Sequence, residues 1–159
     1  MTAGALRIER DPAWWRAIAA HPDLHATGPE RIGEIVGRPE VLPLAAAHGG
    51  YLFVRLDALG LTAELHSLFT PEGWGREAYE AGIAALGAIW LVGFQSVVTL
   101  EMADNPRSRP PRSFGFVRCG GDWKASPFGA ARQWMLTRAA WEASPARDLM
   151  ERRKAKCLH

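Results

Sequence analysis

Disulfide chemistry, charge of one sign and a membrane-length apolar run are all missing from this sequence. Its 159 residues hold two cysteines, Cys119 and Cys157. That is too few for a disulfide scaffold, and reduced thiols are the simplest reading. Lys and Arg number 19 against 17 Asp and Glu, a net charge of +2. So even a balance gives no ground, from charge alone, for a nucleic-acid binder. The longest greasy stretch, residues 83–94, is too short to span a bilayer and is broken by glycine. The N-terminus, MTAGALRIERDPAWW, has no basic segment leading into an apolar one, so no secretory signal is expected. No internal repeat is visible. His21, His25, His48 and His159 show no metal-ligand spacing, and no metal site is expected. What is present is an ordinary globular composition, 48% apolar and 23% charged. A chain of this length buries roughly 70% of its unfolded surface without a staple. The expectation is a soluble, cytoplasmic protein of one domain spanning residues 1–159.

The order of elements points to α/β or α+β. Residues 5–10 (ALRIER) alternate apolar and charged, as in a short edge strand. Asp11-Pro12 reads as an N-cap followed by proline at the first helical position, with the helix ending near His21-Pro22. Residues 23–40 are loop-rich, with a short helix over 30–36. YLFVRL (51–56) and TAELHSLF (62–69) form a predicted hairpin. PEGWGREA (71–78) breaks it, and an apolar stripe at 79, 83, 86, 89 and 90 predicts a helix over 76–91. SVVTLEM (96–102) is a buried-type strand. Gly120-Gly121 reads as a turn, residues 130–136 as a last strand and 137–153 as a C-terminal helix. The result is a mixed, mostly antiparallel central sheet flanked by helices.

The most informative unit is strand, PEGWGREA, helix. A glycine turn before a helix exposes backbone N–H groups where the helix dipole is positive, which together make a pyrophosphate cradle. Read alone, glycines at such a turn equally mark only a turn. A second unit lies one strand later: Asn105, then Phe114-Gly115-Phe116 about ten residues on.

The pair resembles the GCN5-related N-acetyltransferase (GNAT) superfamily, and HSLFTPEGWGREA looks like the GNAT-like proteins of tailed phages and prophages. The resemblance covers residues 50–118 best. It implies a coenzyme-binding core there, with 1–48 as an N-terminal strand and helices and 119–159 as a C-terminal strand and helix. It also implies that acetyl-CoA or another acyl-CoA binds along Ser67, Leu68 and Phe69, over the turn Gly73, Trp74, Gly75, Arg76, Glu77 and Ala78, and beside Asn105. The implied activity is N-acyl transfer to an amine, a small molecule or a protein side chain. The chain departs from the family pattern at three positions. Thr70 stands where Arg or Gln is usual if Gly73 and Gly75 are the motif glycines, and Glu77 stands in a glycine's place if Trp74-Gly75 begins it. Pro111, after Pro110, takes the place of the tyrosine that protonates the departing thiolate. Ser108 replaces a small alanine.

Amine acylation needs a base. Glu64 and His66 lie two apart on one strand and share a face, so either is a candidate, against the readings of a solvated carboxylate and a satisfied core histidine. Ser113 and Cys119 are candidates for the missing acid. Arg107, Arg109, Arg112 and Arg118 read as a solvated basic loop, a site for the ribose phosphate or an acidic acceptor, or a nucleic-acid contact. The tail ERRKAK (151–156) reads as a solvated helix end. Trp14, Trp15, Trp90, Trp123, Trp134 and Trp141 read as core and rim packing, with an aromatic acceptor pocket as the sharper alternative. A second function class stays open: a GNAT-shaped phage or prophage protein that has lost catalysis and acts in virion assembly, as a homo-oligomer, or by binding a host partner.

Overall fold

The computed structural model describes residues 5–24 and 28–157, with the side chain of Cys157 excluded. His25, His159 and the first four residues of the N-terminal reading lie outside the described residues. The chain builds one seven-stranded sheet in the order β1-β2-β3-β4-β5-β7-β6. The strands are β1 (Arg7–Ile8), β2 (Val41–Ala45), β3 (Gly49–Arg55), β4 (Thr62–Phe69), β5 (Ser96–Met102), β6 (Val117–Ser126) and β7 (Gly129–Thr137). Every neighbouring pair is antiparallel except β4 and β5. Helices α1 (Pro12–Ala19) and α2 (Pro29–Val36) cover one face; α3 (Arg76–Ile89), α4 (Arg138–Glu142) and α5 (Pro145–Cys157) belong to the other. No helix among the described residues is long and apolar enough to cross a membrane.

Strand alternation sorts the core. In β4, Ala63, Leu65 and Phe69 face α3 and join Phe53, Leu86, Ile89 and Val97. Leu68 faces the other way, onto Trp15, Ile32 and Val36. Asp11 caps α1 by accepting the Ala13 N–H at 2.9 Å, with Pro12 in the first turn.

Four elements differ from the sequence reading. β1 shrinks to two residues. β2, containing Pro43, is a strand where loop was expected. The Glu9 N–H donates to the Pro43 carbonyl at 3.1 Å, so the missing proline N–H falls on the same side, against the short edge strand β1, where its loss costs little. Gly120-Gly121 is not a turn but part of an irregularity inside β6, between Cys119 and Lys124; the chain reverses instead at Pro127-Phe128. The C-terminal helix is two helices, because Thr137 caps α4 and Ser144-Pro145 restarts the chain as α5. The Ser144 hydroxyl accepts the Arg147 N–H at 3.2 Å.

Candidate functional site

The parallel pairing of β4 with β5 is short. β4 and β5 match at Thr62–Ser96, Ala63–Val97 and Glu64–Val98, and then part. The cause lies in their other partners: β4 stays zipped to β3 and β5 to β7, and the two wings diverge with their own twist. The Thr99 hydroxyl donates to the Leu65 carbonyl at 2.9 Å, the last link before the fork opens. Beyond it lies a cavity of about 560 Å³, lined by Leu65–Phe69, Trp74, Gly75, Ala78, Tyr79 and, across the gap, Thr99, Leu100, Asp104, Asn105 and Arg107–Pro111.

The backbone of β4 presents donors to this gap. Leu56 N–H bonds to the Thr62 carbonyl and Thr70 N–H to the His48 carbonyl. With the register between them, even-numbered residues of β4 therefore point their peptide groups to β3 and odd-numbered ones away from it. Ser67 N–H and C=O, and Phe69 N–H, thus face the cleft. Leu68 directs its peptide groups to Gly50 instead. The Phe69 carbonyl is taken by the Trp74 indole N–H at 2.8 Å.

The bend into α3 is built in three layers. Pro71–Gly73 is a single 3-10 turn, with Gly73 buried beneath it. Gly75 then adopts φ 78°, a conformation that favours glycine, and the space at its Cβ is open. The first-turn N–H groups of α3, from Arg76 to Ala78, lack intrahelical partners, and among the described residues no side chain caps them. Two buried or half-buried groups hold this turn in place. Tyr51 donates its hydroxyl to the Ala78 carbonyl at 2.6 Å, and burial pushes its phenol well above the ordinary value. Glu77 turns away from the cleft and accepts both the backbone N–H and the ring Nδ1 of His48, each at 2.8 Å. Burial works against its ionisation, but the His48 hydrogen bonds outweigh that and keep its carboxyl below the usual range. Arg76 is 83% exposed and pairs with Glu80.

Glu64 and His66 come together on the α1/α2 face of β4, with Oε1 and Nε2 3.1 Å apart. The hydrogen bond from His66 holds the Glu64 carboxyl below its ordinary range despite half burial. His66 lines the cavity.

Across the fork, Asn105 caps a short turn at Pro106–Ser108, its side chain accepting the Arg107 N–H at 3.1 Å. The Ser108 hydroxyl accepts from Met102 N–H and donates to the Asn105 carbonyl, both at 2.6 Å. Arg107 lies over the Trp74 ring, 3.7 Å from its centroid, and Arg109 over Trp134 at 5.5 Å. Ser113 is hydrogen-bonded to the Tyr79 hydroxyl at 2.9 Å. Gly115 has φ 89°, and a Cβ there would sit 2.9 Å from the Ala140 carbonyl oxygen, which is why glycine precedes Phe116. Cys119 lies in β6, outside the cavity wall, as a free thiol. Among the described residues no cluster of His, Cys, Asp or Glu is suited to a metal. Tyr79, Thr99 and the stacking of Arg107 on Trp74 are features that sequence reasoning missed. Tyr79 lay in the apolar stripe of α3, and nothing in one dimension pairs it with Ser113.

This architecture, a mixed seven-stranded sheet with flanking helices and a fork between its central strands, is the GNAT acetyltransferase fold. Among solved structures, the chain is similar to spermidine N-acetyltransferase SpeG variants from Vibrio cholerae. One has a TM-score of 0.68 at 13% identity, covering 86% of this chain and 96% of that one. Another reaches 0.69 at 12%, covering 89% and 97%. A protein from Desulfovibrio desulfuricans described as a GNAT-family acetyltransferase gives 0.67 at 15%, covering 84% and 98%. At such identities the likeness is one of fold. No protein-family profile and no curated protein sequence matches the chain. These structures say nothing of the phage resemblance.

Proposed function

We propose that the protein is an acyl-CoA-dependent N-acyltransferase, using acetyl-CoA or another acyl-CoA and passing the acyl group directly to an amine. The observation that carries this reading is the fork. Ser67 and Phe69 offer free peptide groups to an extended arm lying as an extra strand, and the uncapped N-terminus of α3 stands where such an arm would end in phosphates. The Phe69 N–H is the donor positioned to polarise a thioester carbonyl. His66, with Nε2 held by Glu64, would take the proton from the attacking amine through its other ring nitrogen as the C–N bond forms. The Ser113–Tyr79 hydroxyl pair is the proton source for the departing thiolate once the C–S bond breaks, in place of the side chain that Pro111 cannot supply. The SpeG structures, named as spermidine acetyltransferases, favour an amine acceptor.

Calorimetric titration with acetyl-CoA, followed by release of free thiol with a panel of amines, tests this. Saturable binding and amine-dependent thiol release are expected. No heat and no thermal shift at millimolar ligand would sink it. A second reading, a GNAT-shaped phage or prophage protein acting in assembly or partner binding, is favoured by Pro110-Pro111 and by the Trp74 indole on the Phe69 carbonyl. It expects no amine-dependent thiol release with any acceptor.

A further inference from the structure

We propose that Arg107, carried on the Trp74 ring, is the cation that holds the diphosphate of the nucleotide ligand; this rests on the acyl-CoA reading above. The bend into α3 offers amides but little positive charge of its own. Thr70 is neutral and its hydroxyl is spent on the His48 carbonyl. Arg76 is swung along the helix to Glu80 at 3.0 Å. Glu72 and Glu77 add negative charge to the same end of α3. A doubly charged diphosphate at this bend therefore needs a cation from elsewhere.

Arg107 is placed to be that cation. It lines the same cavity as Trp74, Gly75 and Ala78, although it comes from the opposite wall of the fork. Its guanidinium carbon sits 3.7 Å from the centre of the Trp74 ring, and Trp74 is the residue next to Gly75. Stacking uses the face of a guanidinium and leaves its edge N–H groups free for a bidentate anion. Among the described residues no carboxylate pairs with Arg107. Both partners of the stack are fixed from behind. The Trp74 indole is tied to the Phe69 carbonyl, and the Arg107 backbone is tied to the Asn105 side chain. A preset cation loses less freedom on binding than a solvated one.

The test measures the affinity of wild type, Arg107→Ala, Arg107→Lys and Trp74→Phe for CoA, 3′-dephospho-CoA and inorganic pyrophosphate, with the melting temperature of each free protein. Arg107→Ala is expected to weaken all three ligands by a similar factor, about tenfold to a hundredfold, as for a lost charge-assisted contact. Its melting temperature should stay that of wild type, since Arg107 is exposed. Arg107→Lys should recover part of the affinity, and Trp74→Phe, which keeps an aromatic platform, most of it. If Arg107→Ala binds CoA as wild type does, the assignment falls and the acyl-CoA reading stands. If it weakens CoA but not 3′-dephospho-CoA, Arg107 reads the ribose phosphate and the diphosphate assignment falls. If wild type takes pyrophosphate but neither form of CoA, and Arg107→Ala loses it, the acyl-CoA reading falls and the anion site survives. If wild type binds none of the three, both fall.

Discussion

The two walls of the cleft are made in different ways. The β4 wall is set by the core. Leu68 and Phe69 are buried, the hydroxyl of Tyr51 reaches across to α3, and His48 clasps Glu77 over 29 residues of sequence. The opposite wall, residues 103–116, is set mostly by its own local chemistry: an Asn cap, a Ser bridge and three prolines, with Arg107 and Arg109 reaching out to tryptophan rings on other elements. Only at Phe114 and Phe116 does it enter the core. A wall locked by long-range packing can hold donors at fixed positions, whereas one locked by local bonds opens at smaller cost. Under the acyltransferase reading, the difference would give alignment of a ligand to the first wall and gripping of it to the second.

Substitutions can break that contrast, beginning with the largest effect. Under the acyltransferase reading, His66→Ala should lower kcat by about 10²- to 10⁴-fold while leaving the fold intact, because a general base contributes that much. Glu64→Gln should give a smaller loss of the same kind, since it only positions His66; steady-state thiol release reads both. Phe53→Ala, at a fully buried site in β3 beside Leu65 of β4, should cost about 3–5 kcal/mol of stability in chemical denaturation. Tyr51→Phe should cost about 1 kcal/mol, the usual worth of one hydrogen bond. Ser108→Ala, on the opposite wall, should leave global stability within about 0.5 kcal/mol yet speed hydrogen exchange across residues 103–112. A comparable loss of global stability there would erase the contrast.

Acid provides a milder probe. The folded protein holds the carboxyls of Glu64 and Glu77 below the ordinary value of 4.5. The protein therefore binds fewer protons folded than unfolded in that range, and this stabilisation is fully present above pH 4.5. It fades as the pH falls through the lowered folded values. Melting temperature should accordingly drop below about pH 4.5, and Glu77→Gln should remove part of that drop.

Much of the fold was legible because its elements announce themselves locally. Asp11-Pro12 starts α1, the β-prone run TAELHSLF forms β4, and the stripe of α3 faces β3–β5 as its period requires. Elements whose logic is tertiary were not legible. Pro43 is tolerated in β2 only because β1 ends beside it, and Gly120-Gly121 is a turn in one dimension but a bulge beside β7. The site divides the same way. That Glu64 and His66 share a face follows from strand period alone. That Tyr79 meets Ser113, or Arg107 meets Trp74, depends on two segments about 33 residues apart closing over a fork that no period encodes.

The link between Thr99 and Leu65 has a consequence for what the cleft can accept. A seam that simply frayed would offer a slot of indefinite depth. Here one hydroxyl closes the seam at a defined rung, leaving an open edge of about 13 Å from Leu65 to Phe69, at the usual strand rise per residue. The molecule thus carries its own ruler, with Thr99 as the zero mark against which the length of any inserted chain is measured.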